Sequence, residues 1–320
     1  MSEPGAPPIR LGISACLLGE RVRYDGGHKR DPYLVETFGR YVEWVPVCPE
    51  VEMGLGVPRE TLRLVRTQGD IRLIMPKTGA DHTEAMGAFA RGRVAALAKQ
   101  ALCGCILKKG SPSCGMERVR VFDAHGVPAK SGRGLFAEAL LRYFPHLPVE
   151  EEGHLSDPCR RENFVERVFA YHRLCTLFAG RWKVGEIVAF HTAHKLLLMT
   201  HSPKAYETLG RLVGGAKAIP RGELRERYES EFMRTLGEMA TTKRHANVLL
   251  HIVGHFRRRL DDDSRRELLS VLDDYRRGLV PRIVPITLIR HYVRRFGVAY
   301  LRGQVYLDPH PKELMLRNHV

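Results

Sequence analysis

The chain has 320 residues, a mass of 36.3 kDa and 51 Lys+Arg against 36 Asp+Glu, a net charge of +15. Its 44% hydrophobic, 27% charged and 8% aromatic residues are those of an ordinary folded protein, which excludes long disorder, coiled coil and collagen. No apolar run approaches the ~20 residues that cross a bilayer, and residues 1–10 lack a charged-then-apolar leader, so a cytoplasmic protein with no membrane partner and one large or two ordinary domains is expected.

Short apolar runs alternate with helical patterns through the first half. Residues 9–15 predict a strand, 31–38 a short helix and 43–47 a second strand. A long helix is expected over 81–102, with Asp81 as N-cap and Glu84 three residues on. A strand over 104–108, a helix over 134–144 and an edge strand over 147–149 complete the series. This alternation predicts an α/β domain with a mainly parallel sheet.

The acidic run Glu150, Glu151 and Glu152 breaks the pattern, and Asp157-Pro158 reads as an N-cap followed by proline at the first helical position. The boundary is placed there, giving domains 1–155 and 156–320. Beyond it, apolar residues fall at helical spacing, as in Phe164, Val168, Tyr171, Leu174 and Phe178, and again over 196–199, 268–275 and 286–296. Ser202-Pro203 opens a further helix. The second domain is expected to be all-α.

The charge is uneven. Residues 1–160 carry 22 basic and 19 acidic groups, a net +3, whereas 161–320 carry 29 and 17, a net +12. A polyanion is therefore expected to meet the second domain, where Arg257–Arg259, Arg265-Arg266, Arg276-Arg277 and Arg294-Arg295 recur along the predicted helices. The competing reading is a solvated face neutralised by Asp261–Asp263 and Asp273-Asp274. His191, His194 and His201 lack the His-Glu-x-x-His order of a zinc site and read as a packing or RNA-contacting signature. Tyr206, Tyr228 and His255 are candidates for stacking on bases or for the core.

Seven cysteines without the dense spacing of a secreted framework point to reduced thiols. Cys16 follows the first strand, Cys48 the second, and Cys114 lies in the turn after the third. In an open parallel sheet, ligand sites lie outside the carboxyl ends of the strands, so the three can meet at one edge. Such a soft donor set suits an iron–sulfur cluster, zinc or copper(I), and leaves one metal position open. Burial in the core is the alternative, and Cys103 and Cys105 form a rival pair whose apolar neighbours favour packing.

Cys16-Leu-Leu-Gly19 running into Val22-Arg-Tyr-Asp-Gly26, then Val47-Cys-Pro-Glu50, then Leu107-Lys-Lys-Gly-Ser-Pro-Ser-Cys-Gly115 resemble, in order, the motifs of the thiouracil desulfurase family. The segment from His194 to Tyr206 resembles a helical domain often fused behind it, and the combination is similar to bacterial desulfidases of 4-thiouridine in tRNA. The resemblance implies a [4Fe-4S] cluster on Cys16, Cys48 and Cys114, with the fourth iron free for substrate sulfur. It also implies that Glu50 and Ser111 act in catalysis, and that Arg23, Tyr24, Asp25 and Ser113 border the substrate. The implied reaction replaces C=S by C=O with release of sulfide, with tRNA as partner. Read without the family, Glu50 is an exposed carboxylate and Ser111 a turn residue. The alternatives are a desulfurase of free thiouracil or thionucleosides, and a non-enzymatic RNA-binding redox sensor.

Overall fold

The computed structural model describes residues 7–319; residues 1–6 and residue 320 lie outside them. The chain divides into two compact units, one ending at Asp157 and one beginning at Pro158. In the first unit the strands are β1 (Arg10–Ser14), β2 (Glu43–Val47), β3 (Arg63–Thr67), β4 (Asp70–Ile74), β5 (Leu102–Leu107), β6 (Val119–Phe122), β7 (Pro128–Gly132) and β8 (Val149–Glu151). Its helices are α1 (Pro49–Glu52), α2 (Thr83–Ala98) and α3 (Leu135–Tyr143).

Sheet order β2-β1-β5-β8 is parallel throughout. β5 is buried at all six positions, as an apolar strand in the middle of a parallel sheet must be. In register, Gly12 of β1 lies between Val45 and Cys105. A Cβ on Gly12 would stand 3.0 Å from the Cys105 sulfur, so the glycine makes room for that thiol in the core. Cys103 and Cys105 are both buried within β5, and burial pushes the Cys105 thiol up to about 12.

Several expected boundaries move. Residues 31–38 form a π-type turn, Tyr33–Thr37, and a 3-10 turn, Phe38–Arg40, instead of a regular helix. Asp81 sits one residue before the N-cap of α2, accepting from the Thr83 backbone N–H at 2.9 Å, and the helix stops at Ala98 because Ala101 turns left-handed (φ 51°) into β5. The acidic run after 149 belongs to the sheet: Glu150 and Glu151 pair with β5, and the buried Glu151 carboxylate accepts from the Met116 N–H at 2.7 Å.

A second sheet, β4-β3-β6-β7, joins two antiparallel hairpins through a parallel β3–β6 pair. The β3–β4 turn carries positive φ at both Gln68 and Gly69, the twist that a two-residue hairpin loop needs.

The second unit contains α4 (Pro158–Phe178), α5 (Val184–His201), α6 (Pro203–Gly214), α7 (Arg221–Gly237), α8 (Thr242–Gly254), α9 (Asp262–Arg276), α10 (Ile283–Phe296) and the short α11 (Ala299–Arg302). One apolar core runs through it, including Leu174, Leu197, Tyr228, Leu249, Leu272, Ile289 and Tyr306. No helix among the described residues is long and apolar enough to cross a membrane.

The histidines of α5 belong to this core. His194 stacks on Phe190 at 4.0 Å and its Nδ1 meets the Phe190 carbonyl at 2.7 Å, while His191 Nδ1 lies 3.2 Å from the Tyr228 hydroxyl. Both rings, and Tyr228, are buried, which removes them as RNA contacts and gives them packing roles. Burial, helped by the charge of Arg173, pushes His194 down to about 3; burial and Lys195 push His191 to about 4.

These depressed values set a pH dependence. Below the ordinary histidine value of about 6.5 the unfolded chain takes up protons that the folded unit refuses, so stability is complete above that pH and falls as pH drops toward 3–4. In a Trp44→Phe background, Trp182 is the sole tryptophan reporter and lies in the helical unit. Its urea midpoint should fall steadily from pH 7 to 4, by far more than in the same protein carrying His194→Gln.

Candidate active site

Three strand ends converge on one cavity of about 370 Å³. β1 runs into a 3-10 turn, Ala15–Leu18, that carries Cys16; β2 ends at Cys48; and the loop after β5 carries Cys114. β1 leads to β2 on one side and β5 on the other, so the cavity sits where the strand order reverses, the usual ligand position of an open α/β sheet. Cys16, Cys48, Cys114, Glu50, Ser111, Arg23 and Tyr24 all line it.

Each cysteine is fixed by its own turn. The Cys16 carbonyl accepts from the Gly19 and Lys29 N–H groups, and Gly19 adopts φ 101°, a conformation that a side chain would strain. Cys48 is the N-cap of α1, with Pro49 at the first helical position. Its N–H donates to Glu52 at 2.9 Å, and Arg93 of α2 donates to the same carboxylate at 2.7 Å. The Ser111 hydroxyl oxygen accepts from the Ser113 and Cys114 N–H groups at 3.2 and 3.1 Å, which leaves its own O–H to donate elsewhere. Gly134 closes the Cys114 turn from behind, where a Cβ would come within 2.4 Å of the Ser113 carbonyl.

Burial raises all three thiols. Cys16 is pushed up to about 11, with Lys108 opposing; Cys48 is also raised; and Cys114 rises well above the ordinary thiol range. The ionised form of each would feel the others, Cys48 acting on Cys16 and both acting on Cys114. Among the described residues no three donors converge closely enough to hold a single metal ion. Three soft donors spread around one cavity instead suit a polynuclear cluster, whose metal corners lie apart. Holding such a group requires thiolates, so its insertion releases protons.

Glu50 is held on both oxygens. Arg59 donates to Oε2 through Nη2 at 2.6 Å and Nε at 3.0 Å, and the Ser113 hydroxyl donates to Oε1 at 2.9 Å. Arg59 also donates to the carbonyls of Val22 and Gly56, which ties the Cys16 loop to the carboxylate. Sequence reasoning misses Arg59: it is one of 51 basic residues, in a loop with no motif of its own.

The remaining expected residues divide. Tyr24 is exposed at the rim, with the Arg23 guanidinium 5.4 Å from its ring centre. Asp25 does not line the cavity; it accepts from the Gly27 N–H at 3.0 Å, a turn contact, with Arg23 3.5 Å away. Ser113 is fully buried behind Glu50, where it supports the carboxylate and is shut off from a substrate. Lys108 and Lys109 line the cavity, but Lys108 is paired with Glu152.

Residues 11–152 match the 2-thiouracil desulfurase family, and residues 195–311 match a second family described as a protein of unknown function, DUF1722. The chain belongs to the 2-thiouracil desulfurase family. It is similar to the uncharacterized protein YbgA of Escherichia coli, at 31% identity over 48% of this chain and 90% of that one. It is also similar to the uncharacterized protein YbbK of Bacillus subtilis, at 31% identity over 32% of this chain and 71% of that one. Among solved structures it is similar to a [4Fe-4S]-dependent thiouracil desulfidase, TudS, at 31% identity and a TM-score of 0.38, over 46% of this chain and 93% of that one. The desulfurase match covers the unit that holds the three thiols, and the second family falls within the helical unit.

Breaking the Arg59–Glu50 pair leaves a carboxylate largely buried without its partner, since the two side chains are 4% and 14% exposed. Arg59→Met should therefore lower stability by about 3 kcal/mol. Adding Glu50→Gln should recover part of that loss, and a double-mutant cycle by urea unfolding measures the coupling.

Proposed function

We propose that this protein is a [4Fe-4S]-dependent desulfidase that converts 4-thiouridine in tRNA to uridine. The observation that carries the proposal is the meeting of Cys16, Cys48 and Cys114 with Glu50 and Ser111 around one cavity at the reversal of strand order. Held by the three thiolates, the cluster would supply a thiophilic Lewis acid with one open iron position. The exchange of C=S for C=O by water leaves the oxidation state of the ring carbon unchanged and releases sulfide, so it calls for proton transfer and no external reductant.

This chain's own residues supply the rest. Glu50, fixed by Arg59 and Ser113, takes a proton from the attacking water and returns one as the sulfur departs. Ser111, whose oxygen already accepts two backbone N–H groups, donates its hydroxyl hydrogen to the pyrimidine or to the water. Tyr24 offers a ring face at the rim on which a base turned out of its stack can rest. A cavity of about 370 Å³ accommodates a thiolated base and excludes an intact helical stem.

The choice of tRNA rests on the charge of the second half, a net +12 over residues 161–320. Part of that charge is neutralised locally: Arg266 pairs with Asp263, and Arg276 with Asp273 at 2.7 Å. Arg257, Arg258 and Arg265 are exposed and remain as phosphate contacts. The second reading, a desulfurase of free thiouracil, is favoured by the family match to the cysteine unit alone.

Anaerobically reconstituted protein should release sulfide from thiolated tRNA and erase the near-ultraviolet absorbance of the thiocarbonyl. Intact thionucleoside after digestion sinks the proposal, and turnover of the free base alone selects the second reading. Glu50→Gln should cut turnover by roughly 10²- to 10⁴-fold with iron and labile sulfide retained, whereas Cys16→Ala should lose both.

Binding of tRNA is expected to be salt-dependent. Neutralising about five phosphates predicts a loss of roughly 10²- to 10³-fold in affinity between about 50 and 200 mM salt, measured by filter binding. A flat profile would remove the polyanion role of the helical unit.

A further inference from the structure

Two exposed leucines on neighbouring helices face one slot in the helical unit. Leu250 of α8 is 46% exposed and Leu269 of α9 is 37% exposed, and both line a cavity of about 200 Å³ between the two helices. Val253 and Leu260 add to its apolar wall. Gly254, on the same wall, keeps the slot open: outside its own helical turn, a Cβ here would have nothing within 4 Å. Exposed apolar residues scattered singly are ordinary, but two that converge on one concavity offer a partner apolar surface to cover.

The charged part of the lining is cationic. Arg257 and Arg265, both exposed, line the same cavity, and exposed Arg258 follows Arg257. None of the three has a carboxylate partner among the described residues. The acidic run that opens α9 is largely committed elsewhere: Asp261 accepts from the Ser264 N–H at 2.7 Å and from its hydroxyl at 3.1 Å, and Asp263 pairs with Arg266, which leaves Asp262. Three guanidiniums, charged at every working pH, against one carboxylate favour an anionic partner.

An apolar slot beside phosphate-binding side chains matches a nucleotide that has left its stack, with a flat base whose faces are apolar and a backbone that is anionic. Duplex RNA presents the same phosphates but keeps its bases stacked, and so has nothing to place in the slot. The cavity is roughly seven water volumes, room for a base with its sugar and phosphate left outside. On the next row of α8, His251 and His255 are exposed with ring centres 5.4 Å apart, and Tyr300 lies 5.2 Å from His255. These rings offer a face to a neighbouring base. We propose that the slot between α8 and α9 takes one unpaired base of an RNA strand, with Arg257 and Arg265 on the phosphates that flank it. The proposal rests on the reading of the helical unit as the part that docks RNA, and adds that the RNA docked there is single-stranded.

The test measures binding of a fluorescein-labelled RNA octamer, free of thionucleotides, to the full chain by anisotropy. Its comparators are the same octamer annealed to its complement, and an octamer of abasic residues. The single strand should bind about tenfold more tightly than either. Gly254→Leu fills the slot from a position with free space around it; it should keep the urea midpoint of the helical unit and weaken the single strand about tenfold, with duplex affinity and salt slope unchanged. Arg257→Gln combined with Arg265→Gln should instead flatten the salt dependence, lowering the log–log slope by about 1.4. Equal affinity for the octamer and its abasic counterpart, or an octamer affinity untouched by Gly254→Leu, overturns the proposal. Self-association of the wild type that Gly254→Leu abolishes assigns the slot to a second copy and overturns it as well. The octamer carries no sulfur to remove, so failure here leaves turnover of thiolated tRNA standing, and failed turnover leaves this binding intact.

Discussion

Parallel pairing of β1 with β2 on one side and β5 on the other is the constraint from which the site follows. Parallel strands point their carboxyl ends the same way, so the turns that leave all three open onto one edge. Residues 32 and 66 positions apart in sequence become neighbours through backbone hydrogen bonding alone. The apolar character of β5 and the glycine at position 12 serve that pairing first; the thiols inherit their positions from it.

Around the strand ends, a layer of ionic contacts converts approximate positions into fixed ones. Arg93 of α2 holds Glu52, which holds the Cys48 N–H; Arg59 holds Glu50 while gripping the Val22 carbonyl; and the Ser14 hydroxyl accepts from the Lys108 N–H at 2.9 Å, joining the ends of β1 and β5. The Arg59–Glu50 pair is largely sheltered from water, so it is screened less than surface pairs and discriminates better between correct and incorrect geometry, whereas the Arg93–Glu52 contact is more exposed. The cationic members also oppose the burial that keeps the thiols protonated, as Lys108 does at Cys16.

What was readable in the sequence follows from the range of the forces involved. The cysteine turns announce themselves because Gly19, Pro49, Pro112 and Gly115 encode their shape locally, and the strands that lead into them are compact apolar runs. The second sheet is hidden because β3 and β4 bury one residue each, carry Arg63, Arg66 and Arg72, and turn through Gln68-Gly69 instead of the usual Asn-Gly. Arg59 is silent because its partner Glu50 is met only across a folded loop. The helical unit shows its 3.6-residue period plainly, yet its buried charges do not appear: Glu162 looks like any polar residue of α4 until Arg282 and Arg317 arrive from 120 and 155 positions downstream.

The scattering of the three thiols over three separate strands has a consequence for biogenesis. In a zinc finger, closely spaced ligands let the metal organise the chain around itself. Here no two of the three belong to the same local segment, so the sheet must be assembled before the donors share a common space. For any group held by all three thiols, the polypeptide would therefore be a mould complete before loading, and such loading would be a delivery step onto a folded protein.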